Sequence, residues 1–369
     1  MRLSLRLSTL LGLLLLNACG SDDSEEGSGS SYLTPAALRE LAQLGVDEYR
    51  GKARVTDEVT QGAAKRVSFD PASGPICLRG APYAVFYVDR GSDKTMVLLD
   101  GGGACWTGFC AASEEADATL SATGPATQDP ANYFADWNVV FAPYCDGSVF
   151  VGDNELTVDS VKRYHRGRRN LAAAFDVAEQ HFGDSSQVLL GGFSAGGYGT
   201  LPGMIIARLT FPEADLFVMD DSGPGVQNPQ QGDQIQQRLT DWKYDEIIPP
   251  SCTGCEAGHG QLSQMFSWMI KNDSNVRVSL LSYYQDQVIG VVFNGFEPAE
   301  YEQVLKAETG KVHDAYADRF KRYMLPGAEH VLSDEWLTMT ADGVKLSDWV
   351  AAMVQGDDSV WKDLLASGP

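Results

Sequence analysis

A serine stands between two glycines in Gly192-Phe193-Ser194-Ala195-Gly196. That spacing suits a nucleophile on a sharp strand-to-helix turn, where side chains on the flanking positions would collide. A helix beginning there points its free amides at the charge that develops on an attacked carbonyl. With 38 glycines in 369 residues, the spacing alone arises easily by chance. Here an apolar run at 187–191 precedes it and a helical stretch follows, which is the context the chemistry requires. The reaction indicated is acyl transfer through Ser194.

A serine hydroxyl needs a base, and the chain offers five histidines. His165 and His181 precede Ser194, against the serine–acid–histidine order of this arrangement. His259 lies in a loop-rich stretch and His313 within a helix-like one. His330 follows a strand-like run at 322–325 and the turn Pro326-Gly327, which puts it on a loop at the carboxyl edge of a sheet, where the base belongs. The acid must end a strand between serine and histidine. Asp286 does so after the run 276–282, and Asp220 and Asp221 end the run before it; chain order permits any of them. Asp100-Gly101-Gly102-Gly103 follows another apolar run, and such a triglycine can turn its amides toward the serine. Gly102, Gly103 and Ala195 are the expected oxyanion donors. A phosphate-cradling loop would need a Lys-Ser/Thr pair that is missing here.

These residues need a sheet to hold them. From about residue 80, strand-length apolar runs alternate with helical patterns. The runs 84–88 and 95–99 look like a pair, and 138–143, 187–191, 216–219 and 276–282 continue the series. Such alternation predicts a mostly parallel central sheet with helices on both faces, an α/β-hydrolase-like fold. The stretch 227–272 is too long for a simple crossover and is expected to form a helical insertion near the active site. With no repeat and no second linker, 34–369 is expected to be one catalytic domain, opened by a helix that Thr34 caps and Pro35 starts.

Five blocks in order resemble the pectin acetylesterase family, which also contains the animal Wnt deacylase Notum. They are Leu98 to Gly103, Tyr144-Cys145-Asp146-Gly147-Ser148, Gly192 to Gly197, Asp220-Asp221-Ser222-Gly223, and finally Asp286 with His330. The resemblance implies Ser194 as nucleophile, Asp286 as acid, His330 as base, and Gly102, Gly103 and Ala195 as the oxyanion hole. It implies an O-acetylated polysaccharide as substrate, and it requires neither metal nor organic cofactor. Two departures flank the acyl pocket: Asp100 replaces the usual glutamate, and Ala104 stands where a tryptophan usually precedes the cysteine. The alternatives are longer-chain acyl esters or polyesters, or a silent glycan-binding surface protein.

The amino terminus has Arg2, Arg6 and a leucine-rich run at 7–16, too short to span a bilayer and suited to a signal peptide over 1–18. Leu16-Asn17-Ala18-Cys19 resembles a bacterial lipobox, which makes Cys19 the expected lipidation site and the membrane a partner through that anchor. Residues 19–33, nearly all acidic, Ser or Gly, are expected to be a flexible tether. A formal charge of −22 argues against nucleic-acid partners. Apart from Cys19, six cysteines remain for disulfides in an oxidising compartment. Cys252 and Cys255 with His259 resemble half a zinc site without its second half, so a disulfide is expected there too.

Overall fold

The computed structural model describes residues 31–256 and 258–367; the expected leader, Cys19 and most of the tether lie outside them. Helix α1 (Pro35–Leu44) comes first, with Thr34 as its cap accepting the N–H of Ala37. Three strands follow: β1 (Val55–Gln61), β2 (Ala64–Phe69) and β3 (Ala84–Val88). Next come β4 (Lys94–Leu99), a hairpin of β5 (Gly103–Trp106) and β6 (Phe109–Ala112), and β7 (Asn138–Ala142). A second hairpin, β8 (Asn154–Val158) and β9 (Val161–His165), leads into α2 (Gly167–Phe182). Then follow β10 (Gln187–Phe193), α3 (Ala195–Thr210), β11 (Asp215–Asp221), α4 (Gly232–Trp242), α5 (Gln264–Asn272) and β12 (Val276–Tyr283). The chain ends through α6 (Pro298–Ala315), β13 (Phe320–Leu325), the short pair β14 (Thr340–Ala341) and β15 (Val344–Lys345), α7 (Leu346–Gln355) and β16 (Leu364–Leu365).

Ten strands form one sheet in the order β1-β2-β3-β7-β4-β10-β11-β12-β13-β16. Every pair from β7 to β16 is parallel, and the β1-β2-β3-β7 edge is antiparallel. The two-residue period of the strands divides the core. Val97 and Leu99 of β4, with Val188 and Leu190 of β10, join α2, α3, α5 and α6 on one face. Met96, Leu98 and Leu189 join Trp349, Val350 and Met353 of α7 on the other. The mostly parallel sheet with helices on both faces is the α/β-hydrolase-like fold expected.

Two expectations need correction. Strands β3 and β4 are not partners, because β7 returns between them; ladder partners across a sheet leave no local trace in sequence. The stretch 227–272 is not all insertion. Helix α5 buries Met265, Phe266, Met269 and Ile270 in the core and packs on β12, as an ordinary crossover helix does. Helix α4 is the inserted part; it packs on β5 and β8, and its Trp242 indole donates to the Cys105 carbonyl at 2.8 Å.

The six cysteines in the described residues form the pairs Cys77–Cys145, Cys105–Cys110 and Cys252–Cys255. Among the described residues, no helix is long and apolar enough to cross a membrane.

Candidate active site

Strand β10 ends at Phe193 and α3 begins at Ala195, so Ser194 alone makes the turn, at φ +56° and ψ −112°. A non-glycine residue there is strained, and the surroundings hold it. The Ser194 N–H donates to the Asp221 carbonyl at 2.8 Å, and the Tyr198 N–H donates to the Ser194 carbonyl at 3.2 Å. Gly196 has no room for a side chain: a Cβ there would lie 2.0 Å from the Leu99 carbonyl oxygen. The serine sits at the carboxyl end of the central strands with its first helical turn pressed against the end of β4.

His330 and Asp286 meet from different loops. The His330 Nδ1–H donates to Asp286 Oδ2 at 2.7 Å. Asp286 is fully buried, and its other oxygen accepts the N–H groups of Val288 (2.8 Å) and Ile289 (2.9 Å). That oxygen caps a wide-turn helix, Gln287–Phe293. A carboxylate so held fixes the ring orientation and leaves Nε2 as the basic nitrogen. Nε2 is buried and has no hydrogen-bond partner.

Asp221, a rival for the acid, is tied to the backbone beyond the histidine. Its Oδ1 accepts the Leu332 N–H at 3.1 Å and its Oδ2 the Ser333 N–H at 2.8 Å. Ser222 Oγ accepts the Val331 N–H at 3.2 Å. Asp221 and Ser222 therefore bind the loop that carries His330, while the Asp221 carbonyl holds the Ser194 amide. Burial pushes the Asp221 carboxyl upward from its ordinary range, against the hydrogen bonds it accepts. Asp220 faces away, accepting from Gly223 N–H (2.8 Å) and Thr200 Oγ1 (3.0 Å).

The triglycine loop lies against the elbow. A Cβ on Gly101 would stand 3.1 Å from Ser194 Cβ. Beyond it, Gly103 opposes Ala112 in the β5–β6 hairpin, and the Ser113 N–H donates to the Gly102 carbonyl at 2.8 Å. That bond makes 103/112 a non-hydrogen-bonded pair, so the Gly103 N–H is not spent on the ladder. Gly103 has φ +81°, and a Cβ would lie 1.9 Å from the Ala111 carbonyl oxygen. The Tyr144 to Ser148 block braces this hairpin through the Gly147 carbonyl, which accepts the Cys105 N–H at 2.7 Å; Tyr144 Oη in turn accepts the Val149 N–H at 3.0 Å and steadies the block itself. Burial, foremost, pushes the carboxyls of Asp100 and Asp146 up to about 7 and about 6.

Ser194 and Ala195 line a cavity of about 170 Å³ whose other walls include Phe109, Val149, Ile289 and Phe293. An apolar cavity of about 150 Å³ holds a benzene molecule, so this one fits an acyl group of about six carbons. Sequence reasoning missed the wall formed by the wide-turn helix. Its signal was present: Val288, Ile289, Val291, Val292 and Phe293 are an apolar run in what was otherwise loop.

The other histidines are elsewhere. His165 is buried, donates from Nδ1 to the Asp146 carbonyl at 3.1 Å, and is pushed down to about 4, chiefly by burial. His181 stacks on Tyr87, His313 approaches Asp363, and His259 is exposed. Among the described residues, no His, Cys, Asp and Glu are grouped to hold a metal ion.

Three curated plant proteins are similar to parts of this chain. Pectin acetylesterase 11 of Arabidopsis thaliana is 26% identical over 171 residues, which are 41% of this chain and 43% of the relative. Pectin acetylesterase 5 of the same plant is 31% identical over 144 residues, covering 35% of this chain and 34% of the relative. Pectin acetylesterase 4 is 27% identical over 203 residues, covering 48% and 49%. The chain thus spans less than half the length of each of these relatives. The family model described as Pectinacetylesterase matches residues 59–253, from the sheet edge through the triglycine loop and the Ser194 elbow; Asp286 and His330 lie beyond it. That match takes in just over half of the 369 residues, and the chain belongs to the pectinacetylesterase family.

Proposed function

We propose that this protein is a serine carboxylesterase that removes acetyl groups from O-acetylated polysaccharide. Ser194 is the nucleophile, His330 the base, Asp286 the acid, and the N–H groups of Gly102, Gly103 and Ala195 the oxyanion hole. The observation that carries the reading is the 2.7 Å contact of Asp286 with His330 Nδ1, which leaves a buried, unpartnered Nε2 on a loop tied to the strand end that also holds the Ser194 amide. Nε2 takes the hydroxyl proton as Oγ attacks the ester carbonyl, and the three amides bind the oxyanion. Collapse of the tetrahedral intermediate expels the sugar hydroxyl, which receives its proton from His330. Water then attacks the acetyl-enzyme by the same route and releases acetate. The imidazolium formed in each half-reaction is stabilised by the Asp286 carboxylate.

The substrate class rests on family membership and on cavity size. A cavity of about 170 Å³ beside Ser194 suits acetyl and short acyl groups. Hydrolysis of nitrophenyl esters from C2 to C12, run beside acetate release from acetylated pectin and xylan, tests this. The expected profile favours C2 to C4 over C8 and longer by at least about tenfold in kcat/KM, which corresponds to about 1.4 kcal/mol. A flat or rising profile would move the assignment to a lipid or protein deacylase. Export completes the reading, with residues 34–369 as the catalytic domain on a tether from a lipidated Cys19. The lipobox-like sequence and the bridged cysteines support it.

A further inference from the structure

Charge is spread unevenly over this chain. The residues assigned to catalysis come from the stretches 95–161 (Gly102, Gly103), 170–207 (Ser194, Ala195), 278–305 (Asp286) and 323–344 (His330), and none of these stretches contains a lysine or an arginine. They do carry carboxylates. Glu114, Glu115 and Asp117 follow Ser113, whose N–H holds the Gly102 carbonyl. Asp117 stands against the Asp100 carboxyl, which burial first and Asp117 after it push up to about 7. On the base's loop, Glu329 adjoins His330, and Asp334 and Glu335 come just after it; all three are exposed. Burial first, and then Glu329, Glu335, Asp221 and Asp334, push the Tyr283 hydroxyl up to about 12, so their field reaches the strand that leads to Asp286.

Between these carboxylates the mouth of the Ser194 cavity is uncharged. Its exposed parts are Gly103 and Ala111 of the hairpin and Val288 and Val292 of the wide-turn helix, and among the described residues none that lines the cavity is charged. Arg79 and Arg163 reach the turn end of the hairpin. Arg79, however, pairs with Glu114 at 2.8 Å, and Arg163, 8% exposed, donates to the Trp106 carbonyl at 2.8 Å. Arg238 is buried, its Nη1 on the Phe293 carbonyl at 3.2 Å. Each of the three is thus paired or buried. A site for a polyanion would set Arg or Lys at its mouth, whereas like charge there lowers the local concentration of the substrate. A free uronan carries a carboxylate on every ring, so the acetylated sugar and both its neighbours would meet carboxylates with no cation to bridge them. We propose that the enzyme selects uncharged acetylated sugar chains, either a neutral polysaccharide or a uronan whose carboxyls are methyl-esterified, and discriminates against the free uronan. This deepens the carbohydrate-esterase reading and rests on it.

The test takes one acetylated, methyl-esterified pectin and the same pectin after enzymic demethylation, which keeps the acetyl groups, with acetylated xylan as the neutral chain. In about 10 mM sodium chloride, where charge acts over about 30 Å, kcat/KM for acetate release is expected to be at least about tenfold lower on the demethylated pectin. In about 1 M salt, where the range is about 3 Å, the gap is expected to close to about threefold or less. Xylan as good as the methyl-esterified pectin would name neutral chains in general, and xylan left intact would name the methyl-esterified uronan; both support the proposal. Equal rates on the two pectins at low salt, or a faster rate on the demethylated one, would overturn it without any variant. In the double variant Glu115→Lys, Glu335→Lys the low-salt gap is expected to narrow at least about threefold, with nitrophenyl acetate hydrolysis unchanged. An unchanged gap in the folded variant would assign the discrimination to the fit of the methyl ester and overturn the role of charge. Ser194-dependent hydrolysis of nitrophenyl acetate separates these failures from failure of the serine reading. That hydrolysis with no acetate from any chain would overturn the polysaccharide reading and this proposal together.

Discussion

Asp221 ends β11 and Asp286 follows the end of β12, both at the carboxyl edge of the sheet, yet they hold different things. Asp286 accepts from His330 Nδ1 and from two amides of the helix it caps. Asp221 accepts from Ser222 Oγ and from the backbone at 332 and 333. Asp286→Asn is expected to lower kcat at least about a hundredfold, because the amide favours the wrong imidazole tautomer and no longer stabilises the imidazolium. Asp221→Asn is expected to keep kcat within about tenfold and to cost about 2 kcal/mol in denaturant unfolding, since it weakens charge-assisted hydrogen bonds to a loop. The opposite pattern in well-folded proteins would transfer the acid role to Asp221. Sequence pattern favoured Asp286 only weakly, because each follows an apolar run and precedes the histidine; the family resemblance added the rest. What separates them is the path of the loop after Pro326-Gly327, a tertiary feature without periodicity. Ser194 was legible for the converse reason: strand, turn and helix are all local to it.

The β5–β6 hairpin is the element on which the proposed oxyanion donor Gly103 depends. It stands outside the main sheet, closed by Cys105–Cys110 and by the stacked rings of Trp106 and Phe109 at 4.5 Å. Gly103→Ala would drive a methyl into the Ala111 carbonyl at a positive φ. The hairpin must then shift, taking the Gly103 N–H with it. Loss of one such donor costs about a hundredfold or more in kcat, so a fall of at least about tenfold is expected, with thermal unfolding changed by only a few degrees. A variant with kcat within twofold of wild type would remove Gly103 from the oxyanion hole. The triglycine was readable as a turn toward the serine, but the hairpin after it was not, since four-residue strands fall below any period that sequence can display. The wide-turn helix escaped for a related reason: its apolar run obeys neither the strand nor the α-helical period.

At the scale of the molecule, buried carboxyls set the response to pH. Asp100 and Asp146, raised to about 7 and about 6 chiefly by burial, favour the protonated folded state; their contribution is full below pH 4 and is lost as pH climbs through those values. His165, lowered to about 4 by burial, acts oppositely and loses its contribution as pH falls from about 6.5 to about 4. Asp153 is resisted by burial but held down to about 2 by Arg169, Tyr49 and Arg166, so its contribution fails only in stronger acid. The carboxyls outnumber the histidine, and a formal charge of −22 adds repulsion as pH rises. Melting temperature is therefore expected to fall between pH 5 and pH 7.5; a steady rise across that window would contradict the assignment of neutral buried carboxyls. The acidity was plain in the composition, but which carboxyls are buried depends on packing. The central claim is the chemistry at the elbow, and acetate release from acetylated pectin by purified wild type and Ser194→Ala tests it most directly. Wild type is expected to release acetate, and the variant, with unchanged melting temperature, to be slower by at least about three decades. Retention of a tenth of the wild-type rate in the variant would contradict it.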